Sequence, residues 1–127
     1  MNPVLKKLQF KAQSPVLLLD APPELEGIAQ DFGVELHRTA KTKYDFALSF
    51  VRSLAGAKAA AKQMKKSLAA GAIFWLAYPK GTSKKYPAAD VNRDSAHAAL
   101  KELGFDGVSL VALDDDWSAM RFKRVDH

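Results

Sequence analysis

Residues 71–80, Gly-Ala-Ile-Phe-Trp-Leu-Ala-Tyr-Pro-Lys, place a continuous apolar run directly behind a lysine-rich amphipathic stretch. A run without polar alternation, stopped by Pro79-Lys80, reads as a strand covered on both faces, as in a parallel sheet between helix layers. In the stretch before it, Leu54, Ala57, Ala61, Met64 and Leu68 fall on one side at helical spacing. Lys58, Lys62, Lys65 and Lys66 lie beside that stripe, where their stems cover core edges and their ammoniums reach water. A helix over about 54–70 is therefore expected, with Gly71 closing it.

The same logic orders the rest. Residues 15–20, Pro-Val-Leu-Leu-Leu-Asp, read as a first buried strand. Pro22-Pro23-Glu24 reads as a helix start, Leu25, Ile28 and Phe32 as its stripe, and Gly33 as its stop. Residues 34–38 alternate as a short strand would, and 44–51 form a second apolar run broken early by Asp45. Only 39–43 join these two, fewer than the dozen or so residues of an ordinary parallel crossover. Residues 34–38 are thus a very short edge strand, an antiparallel strand or mostly loop. A Pro/Gly/Lys loop over 79–91 reads as the most mobile segment. A helix over about 93–103 follows, capped by Asp90 or Asn92 and ended by Gly104. Residues 105–113 and 117–125 then form a hairpin around Asp114-Asp115-Asp116, with 117–125 expected at the sheet edge. The expected architecture is a single α/β domain over 1–127. It is a Rossmann-like three-layer sandwich whose mostly parallel sheet of five or six strands ends in an antiparallel hairpin.

Composition narrows the function classes. No cysteine is present, so disulfides, thiolate metal sites and a cysteine nucleophile are excluded, in keeping with a reducing compartment. No stretch approaches the ~20 apolar residues of a bilayer span. The start, Met1-Asn2-Pro3-Val4-Leu5-Lys6-Lys7-Leu8, is too short and mixed for a secretory signal. A cytoplasmic protein without membrane contact is expected. The net charge of +5 comes from small groups, Lys6-Lys7, Lys41 with Lys43, Lys65-Lys66 and Lys84-Lys85. These suit a solvated surface better than specific nucleic-acid recognition, because no nucleic-acid motif accompanies them.

The helix ending in Ser67-Leu68-Ala69-Ala70-Gly71-Ala72, with the strand and terminal hairpin behind it, resembles the later half of an S-adenosylmethionine-dependent methyltransferase. More closely, the chain resembles a family of short bacterial proteins of unknown function with a Rossmann-like domain. That likeness runs from about 4 to 124. It is carried by Leu18-Leu19-Asp20-Ala21-Pro22, Tyr44-Asp45-Phe46, Phe50-Val51, Trp75-Leu76-Ala77-Tyr78-Pro79-Lys80, Asp90-Val91-Asn92-Arg93-Asp94, and Leu113-Asp114 with Trp117-Ser118-Ala119. It implies a methyltransferase-like fold in a bacterial protein and leaves the activity open.

In such sheets ligands sit at the carboxyl ends of strands, where strand order reverses. A nucleotide or methyl-donor site places a glycine-rich turn after the first strand. Here Asp20-Ala21-Pro22-Pro23-Glu24 stands there. Two prolines remove N–H donors and fix φ, and two acids repel phosphate. At the end of 34–38, where a ribose-binding carboxylate is expected, His37-Arg38 stands instead. No cofactor is therefore expected.

The ligand-binding candidates are Asp20, Arg52, Tyr78, Lys80, Arg93 and Trp117. Lys80 can hold an anion, and Arg93 can do so or pair with Asp90 or Asp114. Trp117 and Trp75 offer rings for stacking or for packing. Asp114–Asp116 suit a turn better than a metal. His37 and His97 lack partners at triad spacing, and Ser49, Ser53 and Ser118 lack the context of an activated nucleophile, so no catalytic residue is assigned. The residues favour a non-catalytic module that binds a small anionic ligand or a protein partner, as a monomer or weak homodimer. The alternatives are a methyltransferase-related enzyme of unidentified substrate, with Asp20 or Asp45 as base beside Lys80, and weak nucleic-acid binding through the lysine faces.

Overall fold

A computed structural model describes residues 3–86 and 89–125. Its strands are β1 (Val16–Leu19), β2 (Leu36–His37), β3 (Tyr44–Phe50), β4 (Leu68–Pro79), β5 (Phe105–Ala112) and β6 (Trp117–Arg124). Its helices are α1 (Pro3–Lys7), α2 (Ile28–Phe32), α3 (Leu54–Ser67) and α4 (Arg93–Glu102). The strands form one sheet in the order β2-β1-β3-β4-β6-β5. β2, β1, β3 and β4 run parallel, and β6 pairs antiparallel with both β4 and β5.

The apolar runs are buried on both faces, as their lack of alternation requires. Leu17, Leu19, Leu76 and Tyr78 pack against α3 and α4. Val16, Leu18, Phe46, Leu48 and Phe50 pack against α1 and α2. α1 had no counterpart in the sequence reading, although Leu5 and, just beyond it, Leu8 are fully buried. Its hold is partly polar: Trp75 Nε1 donates to the Leu8 carbonyl at 2.8 Å. Trp75 is thus packing, not a stacking surface.

Four expectations are corrected. Gly71 does not close a helix. α3 ends at Ser67, and β4 begins at Leu68. Gly71 lies inside β4 at φ 74°, where β3 advances from Tyr44 to Phe46 while β4 advances from Leu68 to Ile73. Three extra residues bulge there, and glycine accepts the left-handed backbone that the bulge needs. The helix expected from Pro22 onward divides into a 3-10 turn (Pro23–Leu25) and α2, with Gly33 at φ 65° ending the latter as expected. The hairpin's edge is β5, since β6 is inserted between β4 and β5. The loop over 79–91 is fastened through its described residues, as detailed below; Pro87 and Ala88 lie outside them.

The short connection has a geometric solution. β2 is a parallel edge strand of two residues, paired with Val16 and Leu17 alone. The chain therefore leaves it near the amino end of β1 and reaches Tyr44 in six residues. The Tyr44 hydroxyl ties this passage, lying 2.6 Å from His37 Nδ1 and accepting the Lys41 N–H at 2.9 Å. α4 opens with a reciprocal cap between Asn92 and Ser95. It packs closely on the hairpin at Gly107, where a Cβ would come within 2.8 Å of Met120 Sδ and 3.1 Å of His97 Cδ2.

Candidate functional site

β1 lies between β2 and β3, so strand order reverses at the carboxyl ends of β1 and β3, and a crevice opens there. Its two sides differ. On the α3 side lies a cavity of about 610 Å³, lined by Leu19, Asp20, Ser49, Arg52, Gly56 and Gln63 among others. Phe46, Leu48 and Phe50 point to the α1–α2 layer, and Ala47 and Val51 to the α3–α4 layer. Strand alternation therefore turns Ser49 toward α3 and this cavity. Ser49 is 1% exposed, yet its hydroxyl has no hydrogen-bond partner among the described residues. A buried hydroxyl without a partner costs stability, and a ligand atom can recover that loss.

Arg52 supplies a charge at the same place. Its guanidinium lies 5.0 Å from the Tyr86 ring centroid and pairs with no carboxylate among the described residues. α3 starts one residue beyond Ser53, with no acid in its first turn. Ser53 Oγ accepts the Gly56 N–H at 3.0 Å, and Asp90 accepts the Leu54 N–H at 2.8 Å. Opposite, Asp20 leaves β1 at φ 60°, a left-handed backbone that costs a non-glycine residue about 1 kcal/mol. Aspartate is among the residues that tolerate it. One anionic and one cationic group thus face a cavity with an unsatisfied hydroxyl in its wall.

The other side of the crevice is filled. Glu24, on the turn leaving β1, accepts from the Tyr86 hydroxyl (2.6 Å) and Trp117 Nε1 (3.1 Å) and pairs with Lys85 Nζ (3.3 Å). The Tyr86 hydrogen bond, against the opposing effect of desolvation and with help from the Trp117 and Lys85 bonds, lowers the Glu24 carboxyl to a pKa of about 2. Burial, followed by the Glu24 contact, raises that of Tyr86. The Tyr86 ring meets Trp117 edge-on at 5.1 Å, and Trp117 meets Phe50 at 5.2 Å. Ser83 Oγ donates to Asp116 (2.8 Å) and accepts the Tyr86 N–H (3.0 Å), while the Lys80 N–H donates to the Asp116 carbonyl (2.8 Å). The loop after β4 is thereby bound both to the β1 exit and to the hairpin turn.

Of the six candidate residues, the structure brings Asp20 and Arg52 together at the cavity. Tyr78 lies in the α3–α4 core, and burial pushes its hydroxyl up to about 12, with Arg93 lowering and Asp94 raising it. Arg93 pairs with Asp94 at 3.4 Å, not with Asp90 or Asp114, and lines a separate hollow beside His97. Lys80 does not line the cavity, and Trp117 is wholly buried as a packing residue. Asp45 lies at the amino end of β3, the end of the sheet remote from Lys80, so the two do not form the expected base and partner. Asp114 Oδ1 accepts the N–H groups of Asp116 and Trp117, both at 2.8 Å, which is turn chemistry. No cluster of three or more metal-ligating side chains occurs among the described residues. His37 and His97 do have partners, Tyr44 and Asp106, both structural. Ser49 and Gln63 were missed as site residues; the one signal was a single hydroxyl inside the apolar run 46–51.

The strand order and closing hairpin define a protein of the S-adenosylmethionine-dependent methyltransferase fold. Solved structures it resembles include the CcbJ methyltransferase from Streptomyces caelestis, at TM-score 0.69 and 9% identity over 98% of this chain and 88% of that one. The N-methyltransferase NodS from Bradyrhizobium japonicum aligns at TM-score 0.60 and 15% identity over 98% of each chain. The glycopeptide N-methyltransferase MtfA, solved with sinefungin, aligns at TM-score 0.70 and 12% identity over 96% of this chain and 91% of that one. At such identities the likeness concerns the fold. No family model and no curated protein matches the sequence. No helix among the described residues is long and apolar enough to cross a membrane.

The fold implies an adenosyl methyl donor, and the residues at the β1 exit do not fit one. The turn has no glycine, Pro22 is buried, Pro23 opens the 3-10 turn, and Glu24 is fully engaged. β2 stops level with Leu17, two residues or ~7 Å short of the end of β1, so its exit brings no carboxylate to the crevice.

Proposed function

We propose that this protein is a methyltransferase-related domain that binds a small polar ligand on the α3 side of the crevice. The ligand's anionic group meets Arg52 and the Ser49 hydroxyl, and any cationic group meets Asp20. The observation that carries this reading is the buried Ser49 hydroxyl, which lacks a partner among the described residues and lines a cavity beside Arg52, which has no carboxylate partner among them. A second reading, an enzyme that uses S-adenosylmethionine on an unidentified substrate, draws support from the methyltransferase neighbours.

Thermal-shift and calorimetric titration with inorganic phosphate, free glutamate and S-adenosylhomocysteine test both. A ligand at a hundred times its dissociation constant stabilises the folded state by about 2.7 kcal/mol, which such scans resolve. Stabilisation by phosphate or glutamate that disappears in Arg52→Ala supports the polar-ligand reading. Stabilisation by S-adenosylhomocysteine supports the enzyme. Silence toward all three at millimolar concentration removes both.

A further inference from the structure

Toward the amino end of β4, remote from the crevice, cations meet without acids between them. A hollow of about 300 Å³ is lined by the start of β4 and by Arg121, Lys123 and Arg124 of β6. A second, of about 370 Å³, is lined by Lys6, Lys11 and again Arg121. Neither lining holds a carboxylate among the described residues. Asp45, opposite the bulge in β4, and Asp106, opposite Lys123, lie outside both. Sequence grouping hides this cluster, because the fold alone brings α1 to β6.

Two features shape the hollows in advance. Arg121 donates to the Gln9 side chain, which holds the guanidinium at the wall common to both. The bulge leaves Ala69, Gly71 and Ala72, which also line the first hollow, without a partner residue in either ladder. Amide N–H groups outside a ladder are donors for an anion. Cations gathered without acids also repel one another, and a bound polyanion removes that cost.

We infer that the two hollows together bind a chain of phosphates, one group in each with Arg121 between them. A phosphate presents oxygens on several sides and so meets donors arriving from different directions, where a planar carboxylate meets one pair. The contact reads no sequence: the one aromatic ring in either lining, Phe10, is 5% exposed and offers no stacking surface. Phosphodiester and phosphoanhydride chains share this chemistry. A ligand with a single charged group fills one hollow only, which separates this site from the crevice.

Fluorescence anisotropy with the full chain and a labelled oligothymidylate tests this. Binding is expected at about 50 mM salt and weakens as salt rises, with a log–log slope of about −2 to −3.5 for three to five neutralised phosphates. Arg121→Ala, and Lys6→Glu combined with Lys11→Glu, are each expected to weaken it at least about tenfold. Lys58→Glu combined with Lys84→Glu, the same change of charge on exposed lysines outside both hollows, is expected to change it less than about twofold. Circular dichroism checks that Arg121→Ala, which also releases Gln9, stays folded; the Lys6–Lys11 pair is exposed and carries the test if it does not. Displacement by tripolyphosphate at equal phosphate concentration assigns free polyphosphate as a sufficient source, and persistence of the complex assigns a phosphodiester strand. No binding at about 50 mM salt, a slope shallower than about −1, or polyglutamate bound as tightly would overturn the proposal. So would an equal loss in the Lys58–Lys84 variant, or a loss that follows Arg52→Ala in place of Arg121→Ala.

Discussion

One crevice, at the ends of the same strands, has two halves made of opposite materials. Toward α1 and α2, Glu24 is met by Tyr86, Trp117 and Lys85, and Ser83 by Asp116 and Tyr86. Toward α3, Ser49 is buried without a partner and Arg52 is without a counter-ion among the described residues, and Asp20 holds a left-handed backbone. The first half is satisfied from within, and the second leaves polar groups unanswered among the described residues. Charge alone does not make this distinction, since acids and bases occur in both.

The contrast breaks most visibly at Trp117. Trp117→Ala is expected to cost about 3–5 kcal/mol in urea denaturation, because the ring is wholly buried against Phe50 and Tyr86. A loss under about 1 kcal/mol would make the filled half a surface and end the comparison. Tyr86→Phe comes next, at about 1.5 kcal/mol, for the hydroxyl bonded to an ionised carboxylate. Acid titration sharpens this. The fold holds the Glu24 carboxyl at a pKa of about 2, whereas in the unfolded chain it protonates near 4.5. The wild type's advantage over Glu24→Gln should therefore be complete above pH 4.5 and vanish as pH falls toward 2. An advantage independent of pH would detach the carboxylate from the fastening.

Substitutions on the open half should move binding and leave folding alone. Arg52→Ala is expected to weaken a polar ligand tenfold or more while changing stability by under about 0.5 kcal/mol. Ser49→Ala has the smallest effect on folding and the most telling sign. Removing an unsatisfied hydroxyl should leave chemical stability unchanged or raise it by up to about 1 kcal/mol, while affinity falls. A stability loss above about 1 kcal/mol would show that the hydroxyl has a structural partner.

The sequence displayed the scaffold because the scaffold is written in runs and periods. Unbroken apolar stretches became the buried strands, and the Leu54-to-Met64 stripe became α3. The Asp114–Asp116 turn became the hairpin bend. Features that depend on distant contact were illegible. Gly71 looks like a helix stop until pairing with β3 shows it inside a bulge. The loop over 79–91 looks mobile because its own composition is polar, yet its anchors are Glu24 and Asp116, remote in sequence. At the site, Asp20 and Arg52 could be placed from topology alone. Ser49 could not, because its lack of a partner is a property of everything around it.

The brief passage from β2 to β3 has a consequence for the whole molecule. Those six residues contain no helix, so α3 and α4 make up the helical layer over this face among the described residues. The hollow beside Leu19 lies between the carboxyl ends of β1 and β3 and α3. β1 itself stays covered on both faces, so the opening is confined to its exit.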